Sequence, residues 1–189
     1  MRRSKLYPLV LVAIMSALGT VIYMVFPEIP LVPGVEYLKV DLSDIPALIT
    51  GLTVGPVYGV FVELFKNVIH LSRTTTFGIG ELMNVCIGSF MLLSMWFCMR
   101  WLKQITKSES VTYYLSAAIT VALTIVVGWL LNAALTPIFY ILAGFPMTAE
   151  SILTGVWAST LLNAIKSAIT ILPFWPLVHI TKKISKRFS

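Results

Sequence analysis

The 189-residue chain is 58% hydrophobic and only 12% charged, with a mean hydropathy of +0.90 and a formal net charge of +6 at pH 7. Ordinary soluble domains carry roughly 25% charged residues, so this composition excludes a soluble globular surface and points to an all-α integral membrane protein. A basic surplus in such a chain reports membrane orientation and not nucleic-acid binding.

A hydrocarbon core about 30 Å thick needs about 20 apolar residues per helix, which leaves room for six transmembrane helices in a single membrane domain over 1–189. The first span, 7–26, follows Arg2, Arg3 and Lys5 in the manner of a signal peptide. It runs on to Phe26 without a small-residue cleavage site and is expected to be retained as a helix. Within it Ala13 and Ala17 form a small-xxx-small pair, and Ser16 with Thr20 forms a second. Such faces let helix backbones approach closely and mark contact with another helix, internal or in another subunit.

The connection PEIPLVPGVEYLKV carries three prolines, which forbid a regular helix. Its end, EYLKVDLSD, reads either as a lid over a ligand or as a surface connection. Asp41 is the expected N-cap of a short second span, 41–54, with Asp44 in its first turn. Gly55 and Pro56 then turn the chain into a short third span, 57–71, carrying Glu63, Lys66 and Asn67. Glu63 and Lys66, three positions apart, read as a structural ion pair. Asn67 and His70 read as interfacial, and His70 lacks a partner at metal-ligand spacing.

The polar stretch SRTTTFGIGE precedes the fourth span, 82–101, where Cys86 and Cys98 are expected to be packing residues. KQITKSES leads to the fifth span, 111–142, with an interruption expected at Pro137. AGFPMTAE leads to the sixth, 151–180, whose last turns Pro173 and Pro176 should bend or end. The five tryptophans default to interfacial belt and core roles, with stacking on an aromatic ligand left open.

Six spans put both termini on one side, and ten of the fourteen basic residues fall there: Arg2, Arg3, Lys5, Arg100, Lys103, Lys107, Lys182, Lys183, Lys186 and Arg187. Only Lys39 and Arg73 fall opposite, so the positive-inside rule places the N and C termini in the cytoplasm of a multi-pass cell-membrane protein.

Lys166 carries the chemistry. It lies about 20 Å from either end of its span, too far to snorkel easily, and intramembrane charge marks a pathway, a pair or a ligand. Asn163, three positions earlier, shares its helix face. Asn132 lies at similar depth in the fifth span, and Asn84 lies near the outer end of the fourth. Three carboxamides and an ammonium suit a ligand edged with carbonyl and ring-nitrogen groups. The same carboxamides also fit interhelical packing bonds. No phosphate-binding loop, metal-ligand cluster or nucleophile–base set is visible, so the chain does not read as an enzyme, and any ATP is hydrolysed by another protein.

YLKVDLSDIPALI, GPVYGVFVELFKN, GELMN and the Asn163–Lys166 pair together resemble the riboflavin-binding S components of energy-coupling factor (ECF) vitamin transporters, over essentially all six spans. The resemblance implies riboflavin as a transported ligand with no cofactor, held in the outer half of spans four to six and roofed by the first loop. Asn132, Asn163 and Lys166 would bond the polar edge of the isoalloxazine ring, with Asn84, Leu38, Lys39, Val40 and Asp41 nearby. Ala13 and Ala17 match the family's alanine motif, which implies docking on a transmembrane coupling subunit driven by two ATPase subunits. A flavin-sized ligand suits a pocket of roughly 300 to 1,000 Å³. The alternatives are an S component for another vitamin, or a membrane scaffold subunit whose Asn and Lys residues only bond helices.

Overall fold

The computed structural model describes residues 6–25, 29–30 and 39–180, with 29, 30 and 39 described by backbone alone. Leu38, the basic residues of both termini and most of the proline-rich connection lie outside these. The regular structure of the described chain is helical apart from one short ladder. Its helices are α1 (Leu6–Val25), α2 (Ile45–Thr53), α3 (Pro56–His70), α4 (Ile79–Leu102), α5 (Glu109–Ala143) and α6 (Ala149–Ile171). Four stretches, Leu6–Val25, Ile79–Leu102, Glu109–Ala143 and Ala149–Ile180, are long and apolar enough to cross a membrane. α2 and α3, with 9 and 15 residues, are not.

The hydrophobic pattern of α1 is that of a helix in lipid. Its buried stripe is small or polar, namely Val12, Ser16, Gly19 and Thr20 at helical spacing, while Leu9, Val10, Ile14 and Leu18 face outward. The stripe packs on α3. Of the two small-residue pairs, Ser16 and Thr20 therefore serve an internal contact, and Ala13 and Ala17 stand exposed on the outer side of the helix.

Two-residue strands follow, β1 (Ile29–Pro30) and β2 (Lys39–Val40), antiparallel with Ile29 opposite Val40. Prolines forbid a helix in this connection, but the ladder that closes its two ends was not legible in the sequence.

α2 does not begin where the sequence suggested. Asp44 takes the N-cap position and Asp41 lies outside the helix, because its carboxylate is taken by a lysine 125 positions away instead of by the helix's own amides. Every residue from Ile45 to Leu52 is buried, so α2 is a central strut contacting α1, α3, α4 and α6. A helix apolar on all sides is stable in such a place. The α2–α3 hairpin closes tightly at Gly59, where an added Cβ would come within 2.7 Å of the Ala47 carbonyl and against the Leu92 side chain.

α5 runs unbroken past Pro137, against the expected interruption. Neighbouring helices tolerate such a lost backbone bond when they hold both halves, and α5 is flanked by α4 and α6. α6 ends as expected near Pro173, where Leu172–Phe174 tightens into a 3₁₀ turn before helix resumes over 175–180. The fully buried Tyr113 donates its hydroxyl to the Ile171 carbonyl at 2.6 Å, satisfying an acceptor at this break. The apolar core lies at this end of the bundle, around Leu48, Leu52, Met91, Met95, Tyr113 and Val178. The buried charged side chains of Asp41, Asp44, Glu63, Lys66, Glu81 and Lys166 gather at the opposite end.

Candidate functional site

α4, α5 and α6 form one wall of a cavity of about 160 Å³, and Tyr23 of α1, Asp41 and His70 of α3 complete it. The structure brings Asp41, Asn84, Asn132, Asn163 and Lys166 together on its lining. Val40 is buried but does not line it, the side chain of Lys39 lies outside the described residues, and so does Leu38. The volume formed by the described residues is smaller than the sequence suggested.

The Lys166 ammonium donates to Asp41 Oδ2 at 3.0 Å and to Asn84 Oδ1 at 2.8 Å, with Asp44 Oδ2 at 3.2 Å. A buried charge is tolerable only when paired and hydrogen-bonded, and here both conditions hold. Asp44 turns its other oxygen to Lys66 of α3, which also meets Glu63 Oε2 at 2.9 Å and Ser43 Oγ at 3.0 Å. The expected Glu63–Lys66 contact is thus one edge of a larger network in which Asp44 joins two lysines. Burial alone would raise the Asp41 carboxyl; the ammoniums of Lys166 and Lys66 and the bond from Ser43 N at 2.8 Å instead hold it below the usual carboxylate range.

Asn84 donates to Asn67 Oδ1 at 3.1 Å, and Asn67 in turn donates to the Glu63 carbonyl at 2.8 Å. Asn67 is buried to 1% exposure and is not interfacial, because it relays the lysine network into α4. Its neighbour His70 is not simply interfacial either. Its ring stacks on Tyr23 at 3.7 Å, and its Nδ1 lies 2.9 Å from Glu81 Oε1.

Asn132 differs from these engaged groups. It is fully buried, its Nδ2 donates to the Gly128 carbonyl at 2.7 Å, and its Oδ1 has no partner among the described residues. Asn163 forms no hydrogen bond among the described residues. Its carboxamide comes close to α5 only because Gly128 has no side chain, since a Cβ there would lie 3.2 Å from Asn163 Nδ2. The cavity therefore offers a free buried acceptor and a free carboxamide beside an engaged ammonium, on a lining that is otherwise partly apolar with Ile79, Ile87, Phe139 and Leu162.

Sequence reasoning missed Tyr23, Glu81, Thr76, Thr136 and Ser159, which also line the cavity. The run of threonines before Glu81 was visible as polarity, but not its fold. Positive φ at Phe77 (56°) and Gly78 (81°) turns this segment into α4, and Glu81 Oε2 accepts from Thr74 and Thr76 at 2.9 and 3.2 Å. None of the five tryptophans lines the cavity. Trp101, Trp129 and Trp157 instead face outward. Ala13 and Ala17 do not line the cavity.

Residues 8–178 match the family model described as ECF transporter, substrate-specific component. The chain is 30% identical over 178 residues to the riboflavin transporter FmnP of Bacillus subtilis, covering 90% of this chain and 89% of that protein. It is 28% identical over 179 residues to the riboflavin transporter RibU of Lactococcus lactis subsp. cremoris, covering 92% of this chain and 82% of the relative. In fold it is similar to a solved S component of a bacterial ECF transporter, with a TM-score of 0.77 at 23% identity, over 97% of this chain and 100% of the other.

Proposed function

The chain belongs to the substrate-specific components of ECF transporters, and from that premise we propose that it captures riboflavin for an ATP-driven importer. Members of this family are transport subunits and not enzymes, and they associate with a membrane ECF module. The observation that carries the choice of ligand is the unpartnered acceptor Asn132 Oδ1, buried in a cavity that also holds the free Asn163 carboxamide and Lys166. The pyrimidine edge of a flavin has an imide N–H between two carbonyls. Asn132 Oδ1 accepts from the imide, while Asn163 and Lys166 donate to the carbonyls. The names of the relatives, both riboflavin transporters, support the same choice.

A flavin needs more room than about 160 Å³, so its entry parts the walls. Lys166 is the natural hinge of that change, because it can exchange Asn84 for a ligand carbonyl while keeping Asp41 and Asp44. Those engaged contacts are also what a scaffold lysine would make. The free acceptor at Asn132 is not, and it favours the carrier reading.

The chain enters the membrane from the cytoplasm at α1 and returns there after α6. At about 1.5 Å per residue α2 and α3 reach only about 14 and 22 Å, and they descend and return as a hairpin. Six crossings, or four crossings plus a re-entrant hairpin, both leave the two termini on one side. Lys103 and Lys107 between α4 and α5 then lie in the cytoplasm, in keeping with the positive-inside rule. The exposed Ala13–Ala17 face of α1 docks on the transmembrane coupling subunit, which two ATPase subunits drive.

Detergent-purified protein titrated with riboflavin, thiamine and biotin tests the ligand. Saturable quenching of flavin fluorescence, with no binding of the other two vitamins, is expected. Saturable binding of another vitamin in its place would overturn the riboflavin assignment and leave the family standing.

A further inference from the structure

Contacts between α4, α5 and α6 fix their relative heights. The Thr120 hydroxyl of α5 donates to Met95 Sδ of α4 at 3.8 Å, and Tyr140 near the other end of α5 donates to the Ser151 carbonyl of α6 at 3.2 Å. Followed from the Met95–Thr120 contact, Ile79 at the start of α4 is level with Thr136. α5 continues to Ala143, so the α5–α6 hairpin overhangs α4 by about 10 Å at about 1.5 Å per residue. The overhang stands at the end of the bundle that holds the cavity, and its Phe139 lines that cavity.

A protrusion into water would carry a polar surface, because soluble faces keep contiguous apolar patches small. This one is apolar. Ile138, Ile141, Leu142, Phe145, Met147 and Leu153 are 42 to 65% exposed, and no charged residue or histidine occurs between Glu109 and Glu150. The patch runs on without a polar break into the outward-facing Val126, Trp129 and Leu130 of the same helix. Phe139, Tyr140 and Phe145 pack edge to face at the turn, with centroids 5.3 to 6.1 Å apart. Amphipathic rings such as that of Tyr140 concentrate where hydrocarbon meets headgroups.

Lengths point the same way. From Val111 to Leu142 the exposed apolar face of α5 is about 46 Å long, against about 30 Å of hydrocarbon and about 40 to 45 Å with both headgroup layers included. α1, with 20 residues, matches the hydrocarbon alone. A face as long as that of α5 is covered when the helix tilts or when its tip lies in the headgroup layer, and in both cases the tip meets lipid. We infer that the tip of the α5–α6 hairpin, residues 138–153, is a phospholipid-binding surface seated among the headgroups and upper acyl chains at the cavity end of the bundle. The turn that meets lipid on its outside supplies Phe139 to the cavity on its inside, so the bilayer braces this wall of the cavity. The inference stands apart from the riboflavin reading and its test needs no flavin.

The full chain in phosphatidylcholine vesicles decides it. In a background of Cys86→Ala and Cys98→Ala, Ile141→Cys and, separately, Met147→Cys carry an environment-sensitive fluorophore. Emission shifted to the blue of the free dye is expected at both positions. It should be lost to lipids bearing a nitroxide at the headgroup or upper acyl chain, and largely kept with aqueous iodide. Emission as red as that of the free dye, with iodide quenching to match, would put the tip in water and overturn the inference. Shielding from iodide and lipid nitroxides alike would show that protein covers the tip, a second copy or another chain, and would overturn it too. Should the cysteine-free background not fold, wild-type protein with phosphatidylcholine carrying a photoactivatable group in its upper acyl chain decides instead. Adducts on peptides from 138–153 are expected, and their absence beside normal labelling of α1 would overturn the inference.

Discussion

Lys166 of α6 and Asp41 of the segment before α2 are 125 positions apart in the chain and 3.0 Å apart in the fold, ammonium nitrogen to carboxylate oxygen. The bond fastens the end of the outer connection to the cavity floor. Lys166→Met would leave the carboxylates of Asp41 and Asp44 short of a cation and cost about 3 to 5 kcal/mol, the usual penalty for breaking a buried pair. Asp41→Asn in the same protein should recover at least about 1 kcal/mol of this, because the two changes remove one shared contact. Thermal unfolding of both single variants and the double variant in detergent measures the coupling, and strictly additive losses would show that the pair is not one unit. With the Asp41 carboxyl held below its ordinary range, the contact contributes stability above that range. The contribution fades only as pH falls through the lowered value.

Lys66 is in a different balance. Asp41, Asp44 and Glu63 supply three carboxyl groups to the two ammoniums of Lys66 and Lys166, and Glu63 Oε1 has no partner among the described residues. Glu63→Gln keeps the shape and removes the surplus carboxylate, so a change in stability within about 1 kcal/mol is expected. Lys66→Met removes the ammonium bonded to Ser43 and should cost several kcal/mol. Unfolding midpoints of the two variants in one detergent check the asymmetry; equal losses would contradict it.

These contacts also mark how far the sequence could be read. Long apolar runs announced α1, α4, α5 and α6, since hydropathy needs only local composition. α2 could not be placed as a central strut, because nine apolar residues look alike whether they face lipid or other helices. Asp41 looked like a cap because capping is judged from spacing along the chain, and its true partner is a side chain from the last helix. Asn84, Asn132, Asn163 and Lys166 stood out because polarity in an apolar helix is conspicuous. Thr136 and Ser159 did not, because a hydroxyl inside a membrane helix ordinarily bonds to its own backbone, as Thr160 does with the Val156 carbonyl at 2.7 Å.

Ala13 and Ala17 are exposed on α1, away from the stripe that packs on α3. If that face docks on the coupling subunit, Ala13→Trp should abolish riboflavin uptake by cells carrying the complete transporter. Riboflavin affinity of the isolated protein should stay within about twofold, since the change touches neither the cavity nor α1's internal face. Uptake assays and binding titrations on the same variant check this. Undiminished uptake would place the docking surface elsewhere.

Asn132 offers the most direct test. Its Oδ1 is buried without a partner among the described residues, so Asn132→Leu, similar in shape, removes an unsatisfied polar atom and should leave the ligand-free protein as stable as the wild type or more so. The same change removes the acceptor proposed for the ring imide. Side-by-side fluorescence titration of wild type and Asn132→Leu with riboflavin is the decisive measurement. Affinity reduced about tenfold or more in an equally stable protein is the predicted result, and unchanged affinity would contradict the assignment of this cavity as the riboflavin site.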